Sequence, residues 1–156
     1  MQTEFPAEAQ LMDSVAEVRA LLAGGMPVHL KLPIAFGTAD GTVLATVPSG
    51  FVLEVQSAYW EVTTSFTGGS SSTIAVNSDD TGYTAGGAIM GGTGGDAAAT
   101  LVSTGQTYKG GTVGGAFASN GKVVLAGGKQ IKFQRITSAF TAGAGFVHIT
   151  GRLIAA

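Results

Sequence analysis

The chain has 156 residues, which fits one domain or one domain with an arm, and a 45% hydrophobic content is enough for a real core. Charged residues make up 12%, about half the usual share, glycine fills 25 positions, and the absence of cysteine excludes a disulfide framework or a thiolate metal site. The formal net charge is −2, split unevenly: residues 1–100 hold all ten acids with Arg19 and Lys31, while Lys109, Lys122, Lys129, Lys132, Arg135 and Arg152 stand in 101–156 with no acid.

A surface this poor in charge suits a protein that hides much of itself against partners or inside a dense assembly. The charge split has two readings. Folding mixes the halves and cancels the field, or acidic and basic faces meet between subunits. The six late cations are dispersed, which argues against nucleic acid. No apolar run reaches the ~18 residues of a membrane span. The opening MQTEFPAEAQ is acidic and lacks a signal-peptide pattern.

In chain order, residues 6–23 (PAEAQLMDSVAEVRALLA) predict an amphipathic helix. Pro6 suits the first turn and Glu8 the positive end of the dipole. Leu11, Val15, Val18 and Leu22 form one apolar stripe, and Gly24-Gly25 ends the helix. A single stripe cannot bury itself alone, so it packs on its own domain or on a neighbour.

From Met26 onward the pattern is β. VHLKLPIAF (28–36) puts Val28, Leu30 and Leu32 on one face, and Pro33 is expected to break the ladder. TADG (38–41) predicts a hairpin turn with Asp40-Gly41 at its tip, followed by TVLATV (42–47) and a turn at Pro48-Ser49-Gly50. FVLEVQSAYWEVTTSF (51–66) predicts a long strand. Ala58, Trp60, Val62, Thr64 and Phe66 point inward, Leu53 and Val55 take the opposite phase, and a bulge is expected near Gln56-Ser57. GGSSS (68–72) reads as a loop before TIAV (73–76).

Residues 77–121 are a glycine-rich middle, either long ordered loops with short strands or a contact surface ordered by partners. Strands return in KVVLAGGKQIKFQRIT (122–137), turning at Gly127-Gly128, and in FVHITGRLI (146–154). About eight short strands with frequent turns predict a mainly β fold, an antiparallel β-sandwich or jelly roll behind one N-terminal helix. The division is an arm, 1–26, and a β domain, 27–156.

No reactive motif stands out. His29 and His148 are the only histidines and lack metal-ligand spacing, so both read as hydrogen-bonded strand histidines. No GxSxG supports a nucleophile elbow. Gly92 to Ala97 matches GxGxxA, but no acid follows Asp96, so a dinucleotide site is rejected. Asn77, Asp79, Asp80 and Asp96 lack EF-hand spacing and read as turn residues bonded to their own backbone. Trp60 is expected in the core, with Tyr59 outward.

EVTTSFTGGSSSTIAV from Glu61 and RITSAFTAGAGFVHIT from Arg135 nearly repeat each other. Each reads as strand, tight glycine turn, strand, with Phe66 and Phe140 capping the core just before the chain reverses. The repeat suggests matching hairpins of a pseudo-duplicated sandwich, or convergence of common hairpin chemistry.

VPSGFVLEVQSAYWEVTTSFTGG (47–69), GGDAAATL (94–101) and KVVLAGGKQIKFQRITSAFTAGAGFVHITGRLI (122–154) resemble small β-rich structural proteins of tailed bacteriophages. The resemblance spans roughly 28–154, rests on turn and strand chemistry, and carries no functional residue across. It implies a capsid decoration (cement) protein on the outer surface of the virion, made in the host cytoplasm. Such a protein binds the major capsid protein as a homo-oligomer, a trimer before a dimer, with no catalysis, cofactor, nucleic acid or membrane. The alternative it implies is a tail or fibre domain that binds a host-surface glycan. In the decoration reading Leu11, Val15, Val18 and Leu22, which lie outside the resembling span, are the expected partner-binding residues, docking on the shell or on a sister subunit.

Overall fold

The computed structural model describes Val18 and residues 23–68, 73–84, 89–91, 107–109, 123–136 and 138–156. Val18, Ala23 and Gly24 have helical backbone. The rest of the predicted helix, with Leu11, Val15 and Leu22, lies outside the described residues, as does most of the glycine-rich middle.

The described residues are mainly β. The strands are β1 (Met26–Ala35), β2 (Val43–Thr46), β3 (Phe51–Gly68), β4 (Thr73–Ser78), β5 (Met90–Gly91), β6 (Thr107–Lys109), β7 (Val123–Leu125), β8 (Gln130–Ile136) and β9 (Phe140–Ala155). They form two antiparallel sheets. The first runs β1-β9-β3-β6, with β7 also on β3; the second runs β2-β8-β4-β5. One apolar cluster draws on both: Leu53, Val55, Trp60, Val62, Phe66, Val147 and Ile149 from the first sheet, Ile74, Val76, Ile131 and Phe133 from the second.

β3 follows its sequence pattern closely. Leu53 and Val55 are buried, the register against β9 slips between Val55 and Ser57, and Trp60, Val62 and Phe66 are then buried on the new phase. The expected bulge is therefore present, because two apolar runs of opposite parity can face one core only if an extra residue is inserted between them. Thr64 departs from the expectation. It is exposed, and a second register shift falls between Val62 and Thr64.

Two expectations about connections are corrected. The expected turns at Asp40-Gly41 and Gly127-Gly128 are both present, with positive φ at Gly41 and Gly128, but the one at Asp40-Gly41 closes no hairpin. Each carries the chain from the first sheet to the second, β1 to β2 and β7 to β8. The repeated segment does the same, since β3 to β4 and β8 to β9 both change sheets. Phe66 stands near the end of β3, whereas Phe140 begins β9, so the two copies are not equivalent hairpins. Crossing between layers needs the same glycine and Asx chemistry as a hairpin, so the turns alone do not reveal the partner strand.

Pro33 does not break its ladder; β1 pairs with β9 through it, Pro33 opposite Phe146. The Phe36 N–H donates to the Gly143 carbonyl at 2.8 Å and sets the phase of the pairing. Leu30, Leu32 and Ile34 then bond to β9, while Pro27, His29, Lys31 and Pro33 direct their backbone groups outward. Neither proline lacks a donor that this ladder needs. Both remove one from an edge.

Candidate functional site

Two features of the described residues could meet a partner. The first lies on the outer face of the β1-β9-β3 sheet. Alternation there puts His29 and Lys31 of β1, Phe146, His148 and Thr150 of β9, and Ser57, Tyr59 and Glu61 of β3 on one side, with the core on the other. His148 lies opposite both Lys31 and Tyr59.

His148 is buried despite facing outward, with 7% of its side chain exposed. Its Nε2 lies 2.6 Å from Glu61 Oε2, and its Nδ1 lies 2.8 Å from His29 Nε2. A carboxylate only accepts, so the proton sits on His148 Nε2, and in a neutral ring Nδ1 then accepts from the His29 Nε2–H. Tyr59 stacks on the imidazole with centroids 4.5 Å apart and planes within 6°. Lys31 Nζ reaches over the Phe146 ring, 4.2 Å from its centroid, to Glu61 Oε2 at 3.3 Å. The hydrogen bond from His148 holds the Glu61 carboxyl below the usual glutamate range, Lys31 adds to this, and burial opposes it.

Both histidine expectations meet here. His148 is a hydrogen-bonded strand histidine, as read from the sequence. That His29, 119 residues away, is its partner was not legible. A nucleophilic triad would place a hydroxyl on His148 Nδ1; that position is taken by a second imidazole. Among the described residues no group of three or more His, Asp or Glu is arranged to hold a metal ion. The array ties β1 and β3 to β9.

The acids near the glycine-rich middle also have structural work. Asp79 Oδ1 accepts from the Gln130 N–H and Asp80 Oδ2 from the Ala126 N–H, each at 2.7 Å. Asp40 Oδ1 accepts from the Arg135 N–H at 2.9 Å. The bonds of Asp79 and Asp80 reach a distant segment, not their own turns as expected. Asn77 donates to the Thr84 carbonyl and to Gln134 Oε1, and Asp96 lies outside the described residues.

The second feature is a cleft of about 130 Å³ between the edge strands β1 and β2. Val28, Leu30, Ala45, Val47, Pro48, Leu53, Ile131 and Leu153 line it, with Thr46 as the one polar residue. Met26, on the same face of β1 as Val28 and Leu30, is 46% exposed. Sequence reasoning missed the cleft, because it depends on the facing of two strands that do not pair. Of the four expected partner-binding residues, Val18 alone is described; it is 53% exposed.

No protein-family model, curated protein or solved structure matches the chain.

Proposed function

We propose that this chain is a structural protein of a tailed bacteriophage virion, a capsid decoration protein built as a β-sandwich or jelly roll. It binds the outer shell across capsomer boundaries, with the major capsid protein as its partner, and does so as a homo-oligomer, a trimer before a dimer. The resemblance of residues 28–154 supplies the phage context.

The structural observation that carries the reading is the cleft. An apolar cavity between two edge strands, one of them blunted by Pro27 and Pro33, suits burial of another apolar surface and resists indiscriminate strand addition. A charged content of 12% leaves few groups to desolvate when such surfaces meet. Many modest contacts, repeated by symmetry over a lattice, hold such a protein without any single strong site.

The test uses empty shells of the phage that encodes the chain. Saturable loading at fixed stoichiometry, with greater resistance to heat and osmotic shock, is the expected result. Failure to load, together with adsorption to host cells, overturns decoration in favour of a tail or fibre domain that binds a glycan. Tyr59 gives that second reading little help, since His148 covers one face of its ring.

A further inference from the structure

Among the described residues β1 pairs with β9 alone, and two of its side chains reach across the outer face to hold it there. His29 Nε2 lies 2.8 Å from His148 Nδ1 on β9, and Lys31 Nζ lies 3.3 Å from Glu61 Oε2 on β3. His148 is buried between them, with Glu61 on its Nε2 and Tyr59 stacked on its ring. Phe146, Thr150 and Ser57 flank the pair on the same face, and Lys109 of β6 stands opposite Tyr59 in the ladder. Beyond Thr150, Arg152 lies between Pro27 and Glu54. Next to the pair itself, Glu61 is the one acid. His29 is exposed, so protons reach the pair from solvent.

The geometry limits how many protons the two rings can hold while bonded. With both rings neutral, one hydrogen lies between them, donated by His29 Nε2 to His148 Nδ1. A first added proton goes to His29 Nδ1 and breaks nothing, because one hydrogen still lies between the rings whichever ring owns it. A second has only the inner nitrogens left. It sets two N–H groups against each other at 2.8 Å with no acceptor between them. It also leaves two imidazolium charges beside Lys31 with only the Glu61 carboxylate to offset them.

We propose that the His29–His148 pair is an acid-operated latch on β1, closed with up to one added proton and opened by the second, so that acid releases this edge strand. The open form binds one proton more than the closed form. Acid therefore favours opening, by up to about tenfold in the open-to-closed ratio per pH unit. Opening gives up the β1–β9 ladder and uncovers Val28, Leu30 and Leu32, which pack against the core. The latch goes beyond the decoration reading and does not depend on it.

The test uses the full-length chain labelled with nitrogen-15, taken from about pH 8 to about pH 5, where histidine ordinarily changes charge. Glu61 stays ionised across this window, since His148 and Lys31 hold its carboxyl below the usual range. Imidazole nitrogen shifts count the protons on the pair. Amide exchange, corrected for its intrinsic pH dependence, reports the strand. Leu30 and Leu32 of β1 are compared with Phe133 in the other sheet, whose N–H donates to the Thr42 carbonyl at 2.8 Å. The expected result is a first added proton with protection unchanged. With the second, protection of Leu30 and Leu32 falls about tenfold or more relative to Phe133. His29→Gln keeps the bond in both charge states of His148, because its amide donates to Nδ1 or, turned over, accepts from it. That variant should keep its relative protection throughout. Two charged rings with unchanged protection at Leu30 and Leu32 overturn the latch, and so does a pair that takes up no second proton by the acid end of the window. Equal loss of protection in the glutamine variant overturns it too, because opening then has another cause.

Discussion

Phe66 and Phe140 meet edge to face across β3 and β9, with centroids 5.2 Å apart and planes at 72°. Beside them, the Thr67 and Thr141 hydroxyls lie 3.3 Å apart. The two Phe-Thr units of the repeated segment, 74 residues apart in sequence, are therefore neighbours in space. The repeat thus sets two Phe-Thr units side by side, one near the end of β3 and one at the start of β9. Truncating either ring leaves a cavity and removes an aromatic pair, so Phe66→Ala or Phe140→Ala should cost about 3–5 kcal/mol, read from urea unfolding at pH 7. A loss under 1 kcal/mol would show that this end of the core does not hold the sheets together.

Glycine at 145 lets β9 approach β3. A Cβ there would run into the Glu61 carbonyl, and at Gly143, with φ of 134°, into the Phe66 ring. Gly145→Ala therefore has to push apart the ladder that positions Glu61. We expect a loss of about 1–3 kcal/mol, with the histidine array weakened at the same time. Wild-type stability and unchanged His148 imidazole NMR shifts would contradict this.

The Glu61 carboxyl titrates below the usual range in the folded chain, mainly through His148 and then through Lys31. The folded chain thus binds fewer protons than the unfolded chain as the acid limb is entered. Stability from this carboxylate is fully present above the ordinary glutamate value of about 4.3, and is lost as pH falls through the lower folded value. Glu61→Gln should remove that part of the acid slope, so the two stability curves draw together as pH falls below the ordinary glutamate value of about 4.3. Parallel curves from pH 7 to 3 would contradict the linkage.

Asp79 and Asp80 clasp the β7–β8 turn from a distant segment. Asp80→Ala removes an acceptor from the Ala126 N–H at an exposed site, and a loss of about 1–2 kcal/mol is expected. Because the bond joins the start of the glycine-rich middle to its far end, amide exchange at Ala126 should rise. Exchange unchanged at Ala126 would mean that the bond is not made in solution.

Pro27 and Pro33 keep the β1 edge poor in donors. Replacing both with Thr restores two outward N–H groups beside those of His29 and Lys31. The double variant should show a larger mass than wild type by light scattering at equal concentration, rising with concentration. Equal masses would show that the prolines do not guard the edge.

Much of the strand content was legible, because alternation reports which face is buried. The parity switch at Val55–Ser57 located the bulge before any pairing was known. Pairing was not legible. Gly41 and Gly128 are turn glycines whether the next strand lies in the same sheet or the opposite one, and only the assembled core decides. The His29–His148–Glu61 array depends on register across three strands, and no local pattern encodes the relative register of β1, β9 and β3. The cleft was hidden for the same reason. Its walls are ordinary half-buried aliphatics such as Val28 and Leu30, which in sequence look like any core face.

If this chain assembles on a phage shell, as proposed, its mass by light scattering, alone and with empty shells, shows it. A stable small oligomer that loads onto shells at fixed stoichiometry is the predicted result. A monomer whose mass is unchanged by shells would rule that role out.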